Sequence, residues 1–361
     1  MNIHWPSAVA AAVVSPPIGP VGDVTLIDVG ASGGIADYWA SFGDALVAVG
    51  FDPLVTNMKK MNAAEARPRV RYEAAFVGCH GFDERLPPDA RRFFDPYQRS
   101  SAVRAQELMR VDFVADHFNE GDELVWSDTR VTLDDRFSDP AALDFLKVDT
   151  DGSDIQVLLG ADRLLREGAF LGLMVEAQFH GVSHDYANTF SNIDRYLRSR
   201  GFMLFDLDRN RYTRAVLPGR FEYDITAQTL TGQVLWGDAL YFRDLADPQY
   251  AARWSYATTR KRLLTLAALF DLHGLPDCAA ELLLAHPGLT SEQEREPLLD
   301  MLAVSAGLDT TFREHNRRFT SDPKSFFPAA YRPAAVVPPP APPQRGLAWR
   351  AARKAKRLLG V

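Results

Sequence analysis

The sequence predicts a doubly wound, mostly parallel α/β sheet with an antiparallel edge and a small C-terminal helical region, on three observations. From Val24 to Leu245, short apolar, β-like runs alternate with segments of helical character, as in βαβ units built around a parallel sheet. A late pair of runs, Phe202–Leu207 and Ala239–Phe242, suits the antiparallel edge that mixed sheets often carry. From Pro248 to about Ala306 the chain turns Leu- and Ala-rich, as in Leu263–Leu272 and Ala279–Leu284, with breaks at Gly274, Pro276 and Pro287.

In chain order the strands expected are Val24–Val29, Leu46–Phe51, Val70–Ala75, Phe145–Val148 and Leu171–Val175. Between them Asp37–Phe42, Val55–Ala63, Asp154–Leu165 and Thr189–Arg200 read as helices. The domain organisation expected is an N-terminal extension over 1–23, the α/β domain over 24–247 and a helical appendage over 248–330. A Pro-rich linker over 331–346 follows, its composition favouring extended polyproline II, and a basic amphipathic tail over 347–361 ends the chain.

Composition narrows the function. At 361 residues, with 47% hydrophobic and 24% charged content, the chain exceeds what one core commonly serves. A net charge of -7 argues against a general nucleic-acid binder, which needs a basic surface to neutralise phosphates. Two cysteines, Cys79 and Cys278, make no disulfide framework and suit a reducing cytoplasm, each as a small buried hydrophobe. The apolar stretch Ala8–Val14 is short, has no Lys or Arg before it and runs into Pro16 and Pro17, unlike a signal peptide or a membrane span.

A glycine-rich turn follows the first strand: Asp28, Val29, Gly30, Ala31, Ser32, Gly33 and Gly34. Open α/β sheets bind nucleotides at this place, beyond the carboxyl ends of their strands. Small residues let the backbone approach a ligand closely, whereas Asp28 is a poor neighbour for phosphate and an acceptable one for a sulfonium cation. The second strand ends in Asp52 and Pro53, about 20 residues on, where a carboxylate can accept both hydroxyls of a ribose. Such an acid serves NAD and S-adenosylmethionine alike. The turn lacks the Gly-x-Gly-x-x-Gly of a dinucleotide site.

A third segment separates the two cofactors. It runs Val131-Thr132-Leu133-Asp134-Asp135, then Phe145-Leu146-Lys147-Val148-Asp149-Thr150-Asp151-Gly152-Ser153-Asp154, then Val157-Leu158-Leu159-Gly160-Ala161. From about Leu26 to Glu176 the chain resembles the FkbM family of S-adenosylmethionine-dependent methyltransferases, with Asp151 and Asp154 where that pattern has glutamates. The resemblance implies a Rossmann-like methyltransferase sheet with S-adenosylmethionine as cofactor. It also implies O-methylation of a hydroxyl, with a saccharide or glycoconjugate as acceptor. Carried over by position, Asp28, Gly30, Ala31, Ser32 and Gly34 form the methionine-side cradle, and Asp52 with Pro53 holds the ribose. Ala75 and Phe76 lie near the adenine, and Ser100 and Ser101 resemble a paired serine of the family or a polar turn.

Methyl transfer to an alcohol needs an aligned acceptor and a base. Strand-end candidates for catalysis are Asp149 and Asp151 after the fourth strand and Glu176 and His180 after the fifth, with His184 a further histidine nearby. Asp149, Asp151, Asp154, Glu176 and His180 also have the donor chemistry of a Mg²⁺ or Mn²⁺ site. A plainer role for Asp154 is an acid offsetting a helix dipole, and no metal ligand is assigned. Downstream, Gln233, Trp236 and Asp238 suit either a carbohydrate-stacking wall or a hairpin with a core tryptophan.

At the end of the chain, Leu347, Ala348, Ala351, Ala352, Ala355, Leu358 and Leu359 gather on one helical face, with Arg345, Arg350, Arg353, Lys354, Lys356 and Arg357 on the other. A basic amphipathic helix over 345–361 suits an anionic membrane surface or a partner protein. Two alternatives stand beside the methyltransferase. A catalytically silent scaffold in a glycan-assembly complex would bind the cofactor without turnover, and an NAD-dependent oxidoreductase would retain NAD.

Overall fold

A computed structural model describes residues 2–82, 125–181, 183–213 and 228–328. Ser100, Ser101, the Pro-rich linker and the basic tail lie outside the described residues. The main sheet uses β1 (Val24–Val29), β2 (Leu46–Asp52), β3 (Val70–Ala74), β6 (Phe145–Val148), β7 (Gly172–Gln178), β8 (Phe202–Leu207), β9 (Asn210–Tyr212) and β10 (Gln233–Arg243). A separate parallel pair joins β4 (Phe76–Val77) to β5 (Arg130–Val131).

Strand order in the main sheet is β3-β2-β1-β6-β7-β10-β8, with β9 also on β10. Pairings from β3 through β7 are parallel, and those of β10 with β7, β8 and β9 are antiparallel. This is the doubly wound sheet with an antiparallel edge that the sequence predicts. Every residue of β1 is buried, as befits a central strand covered on both faces.

The helices are α1 (Ala8–Val13), α2 (Val55–Ala64), α3 (Leu133–Arg136), α4 (Asp154–Leu159), α5 (Asp162–Arg166), α6 (Phe190–Arg198), α7 (Tyr250–Trp254), α8 (Arg260–Leu272), α9 (Pro276–Ala285), α10 (Glu292–Ser305) and α11 (Phe312–Ser321). Strand side chains alternate between two cores. Val24, Leu26, Phe145, Leu240 and Phe242 meet residues of α1, of the 3₁₀ segment Asp37–Ala45 and of α8 to α10 on one face. Ile27, Val29, Leu146, Val148, Leu173 and Val175 meet α4, α5 and α6 on the other. The N-terminal residues are tied to α8, since the Ser7 hydroxyl donates to buried Asp271 at 2.6 Å and His4 N donates to the Leu272 carbonyl at 3.0 Å.

Local differences from the sequence-based expectation have steric or pairing causes. The helix expected over Asp154–Leu165 is two helices, because the backbone leaves helical geometry at Ala161, while Gly160 packs so close to the Gly78 carbonyl oxygen that a Cβ there would lie 1.9 Å from it. The late strand begins at Gln233 and not at Ala239, because its first half pairs with β9 and the end of β7, partners distant in sequence.

Arg243 is a fully buried cation with no carboxylate partner among the described residues. Its guanidinium donates to the carbonyls of Phe170, Leu165, Ala169 and Arg200 and to the Tyr250 hydroxyl, and it lies 4.1 Å from the Phe202 ring centre. It ties the start of β7 to α7. By its internal contacts the chain divides into two units, 1–312 and 313–361. In the second, Phe319 and Phe326 meet edge to face at 5.2 Å.

Candidate active site

Successive parallel strands step from β1 outward to β2 and β3 on one side and to β6 and β7 on the other. The crevice beyond the carboxyl ends of β1 and β6 is therefore the switch point at which such sheets take ligands. The glycine-rich turn sits at this crevice. Gly30 and Ala31 both donate to the Phe51 carbonyl, at 2.8 and 2.9 Å, so the turn folds over the end of β2. Gly30 has φ +90°, and any Cβ there would lie 1.7 Å from the Asp149 carbonyl oxygen. Only glycine lets the first turn and the end of β6 close together. Ser32 and Gly33 are exposed, and the Asn57 amide donates to the Ser32 carbonyl at 2.6 Å.

Asp28 is buried at the end of β1, with Lys147 Nζ 3.4 Å away and the same ammonium 3.1 Å from Asp149. Burial pushes Asp28 up to about 6, against the pull of Lys147. Burial works against the charge of Lys147, but Asp28 and Asp149 outweigh it and raise its pKa. Sequence reasoning quoted Lys147 only as part of a motif. Its position directly across from Asp28 in the parallel register makes it the cation that permits two acids here.

Asp52 closes the second strand end. One of its oxygens accepts from Leu54 N at 2.8 Å, and the other has no partner among the described residues. Its carboxyl is raised by burial, opposed by the Leu54 N–H, and raised further by nearby Asp151. The Pro53 carbonyl accepts from Ser127 N, and Ala75 N donates to the Asp52 carbonyl. Phe76 stacks on Trp126 with ring centres 6.4 Å apart, and the Arg130 guanidinium lies 4.9 Å from the Phe76 centre. Trp126 is 57% exposed at this wall. It was missed from sequence because nothing local links it to a strand end.

The motif that carries the family resemblance is largely scaffold. Thr132 caps α3 by accepting from Asp135 N at 3.1 Å. The Asp134 carboxylate accepts from Arg163 N and Leu164 N, at 2.8 and 2.9 Å, and so caps α5. Asp154 is likewise structural: Thr150 N, the Thr150 hydroxyl, Gly152 N and the Asn188 amide all donate to it, closing the loop after β6. Asp151 in that loop has φ +52°, a left-handed conformation uncommon for a residue with a side chain. Among the described residues no group of three His, Cys, Asp or Glu side chains is arranged to hold a metal.

Glu176 is 8% exposed on β7, and its buried Oε2 has no hydrogen-bond partner among the described residues. Burial pushes it up to about 9, with Asp154, Asp149, Asp151 and Asp238 adding to the shift. Asp238 of β10 stands directly across from it in the antiparallel register. His180 sits at the same end, its Nε2 2.8 Å from the Val234 carbonyl oxygen and 3.3 Å from the Gln233 amide nitrogen. His184 Nδ1 accepts from Tyr186 N. Trp236 packs with Tyr212 and Leu235 and donates to the Tyr212 hydroxyl at 3.3 Å. The structure thus brings Asp28, Asp149 and Glu176 to adjoining strand ends, with Asp52 and Asp151 within electrostatic range of each other.

Residues 28–204 match the family model described as the methyltransferase FkbM domain. No curated protein matches the chain. Solved structures similar to it include precorrin-6Y C5,15-methyltransferase from Geobacter metallireducens GS-15, at 12% identity over 61% of this chain and 80% of that one, with a TM-score of 0.28. A SAM dependent methyltransferase from Aquifex aeolicus is 10% identical over 62% of this chain and 85% of that one, with a TM-score of 0.25. M. jannaschii TYW2, in complex with AdoMet, is 8% identical over 61% and 69% of the two chains, also with a TM-score of 0.25.

Proposed function

Starting from residues 28–204 as the methyltransferase FkbM domain that they are, we propose that the protein is an S-adenosylmethionine-dependent O-methyltransferase acting on a hydroxyl of a saccharide or glycoconjugate. The observation that carries this reading is the conjunction of the Gly30 turn, pressed against the end of β6, with the half-free carboxylate of Asp52 at the neighbouring strand end. The donor set fits the cofactor, since carboxylates at Asp28, Asp149 and Asp151 favour a cation and the exposed Ser32–Gly33 turn leaves room for it. Bound there, S-adenosylmethionine would supply a methyl group on a positively charged sulfur.

In this reading Asp28, Gly30, Ala31, Ser32 and Gly34 line the methionine side. Asp52 and Pro53 hold the ribose, and Ala75, Phe76 and Trp126 border the adenine. Calorimetry with S-adenosylmethionine tests it. Asp52→Ala should weaken binding by about 1.5–3 kcal/mol for each charge-assisted hydrogen bond lost. Equal affinity of variant and parent would sink the assignment, and binding without turnover on any acceptor would favour a silent scaffold.

A cytoplasmic protein, peripheral at the inner face of a membrane through 345–361, is the location proposed from the basic tail. Among the described residues no helix is long and apolar enough to cross a membrane. Sedimentation with anionic vesicles should depend on the tail and fall with salt. Binding that ignores either would end that proposal.

A further inference from the structure

We propose that Asp238 takes the proton from the acceptor hydroxyl and that Glu176, its cross-strand neighbour, positions that hydroxyl, so that the acceptor is an uncharged, hydroxyl-rich molecule. This inference rests on the methyltransferase reading above. It starts from register. Asp238 and Glu176 are directly opposed on β10 and β7, and residues opposed in an antiparallel pair project to the same face of the sheet. Asp28 and Lys147 share that face, the one whose core contains Leu26, Phe145 and Leu240. The opposed pair therefore stands on the wall of the crevice that the glycine-rich turn borders.

Three neighbouring acids are engaged elsewhere. Asp28 and Asp149 share Lys147, and Asp154 spends both oxygens on its own loop. An ion-paired carboxylate is a weakened base, because taking a proton would forfeit the ion pair. Asp238 differs: its carboxylate has neither a hydrogen bond nor an ion pair among the described residues. Burial pushes it up to about 6, with Asp149 raising it further, so that it is ionised at neutral pH yet more basic than an ordinary aspartate.

Glu176 complements it. Its Oε2 is buried without a partner, which costs free energy unless a ligand supplies one. Burial, with the charges of Asp154, Asp149, Asp151 and Asp238 added, keeps a proton on its carboxyl, which can donate to a substrate oxygen while accepting from a second hydroxyl. A pair consisting of one proton donor and one base suits a polyol. An anionic acceptor would meet the like charges of Asp238, Asp149 and Asp151, which already act on one another or on Glu176.

In the transfer the acceptor oxygen uses a lone pair to form the new O–C bond. The S–C bond of S-adenosylmethionine breaks and leaves its electron pair on sulfur, which becomes a neutral thioether. The acceptor's O–H proton passes to Asp238, which later releases it to water. The alcohol becomes an ether, one proton is released, and no oxidant is needed.

The test uses the full chain, S-adenosylmethionine, a panel of neutral methyl glycosides and the corresponding uronic acids. Parent, Asp238→Asn and Glu176→Gln should bind S-adenosylmethionine within about threefold of one another. Failure of the parent to bind would sink the methyltransferase reading itself and not this assignment. Neutral glycosides should be methylated at least about tenfold faster than uronic acids. Asp238→Asn should lower kcat by about 10²–10⁴-fold with KM little changed, the range typical of a lost general base, while Asp238→Glu should restore part of it. Glu176→Gln should raise KM about tenfold while keeping most of kcat. Infrared spectra of the parent at neutral pH should show a protonated-carboxyl band that Glu176→Gln removes. Parent-like turnover by Asp238→Asn, faster reaction of uronic acids, no methylation of any neutral glycoside by a protein that binds S-adenosylmethionine, or absence of the infrared band would each overturn the proposal.

Discussion

Gly30 and Asp149 touch through their backbones: a Cβ on Gly30 would lie 1.7 Å from the Asp149 carbonyl oxygen, at a residue whose φ is already +90°. The contact joins the first turn to the end of β6. Gly30→Ala must either separate these two segments or strain both, so it should cost about 1–3 kcal/mol or more in chemical denaturation and lower S-adenosylmethionine affinity in calorimetry. A variant as stable as the parent would show that the two segments are not in close contact.

Glu176 should make stability depend on pH. Its carboxyl lies well above its unfolded value of 4.5, at about 9, through burial and the neighbouring Asp154, Asp149, Asp151 and Asp238. Between these values the folded state holds more protons than the unfolded one, so stability falls as pH rises through that window. Glu176→Gln, neutral at every pH, should flatten this slope and raise stability near pH 8 by roughly 1–3 kcal/mol. Parallel pH profiles for parent and variant would rule the effect out. A residue that lowers stability and is retained for chemistry is common at working sites.

Asp134 should prove structural. Its carboxylate holds the N–H groups of the second and third residues of α5, so Asp134→Ala should lose about 0.5–2 kcal/mol of stability, as lost helix caps do. S-adenosylmethionine affinity should change little. A large loss of affinity with unaltered stability would instead move Asp134 into the binding site.

Asp149 should act on turnover. It is a half-buried strand-end acid sharing Lys147 with Asp28, so Asp149→Asn keeps its shape and leaves Lys147 one partner. Folding should stay nearly unchanged and cofactor affinity should fall only modestly, since Asp28 and Asp151 keep their charges, while turnover falls about ten- to a hundredfold, the scale of one charge-assisted contact. Unaltered turnover would remove Asp149 from the reacting centre.

What the sequence determined by itself is local. Strands Val24–Val29 and Phe145–Val148 were legible to the residue because each is a short buried apolar run bounded by turn residues. The placing of Asp28, the glycine-rich turn and Asp52 at strand ends follows from chain order alone, since in a parallel sheet every strand end after such a run lies at the same edge. The tertiary structure decided what depends on register and pairing between distant segments. Lys147 meets Asp28 only because β6 docks beside β1, and Trp126 meets Phe76 only where the chain returns to the end of β3. Glu176 faces Asp238 only because β10 inserts antiparallel beside β7, 62 residues later in the chain by the difference of their numbers. A one-residue slip in that pairing would turn one of the two acids to the opposite face, and no local periodicity specifies the register.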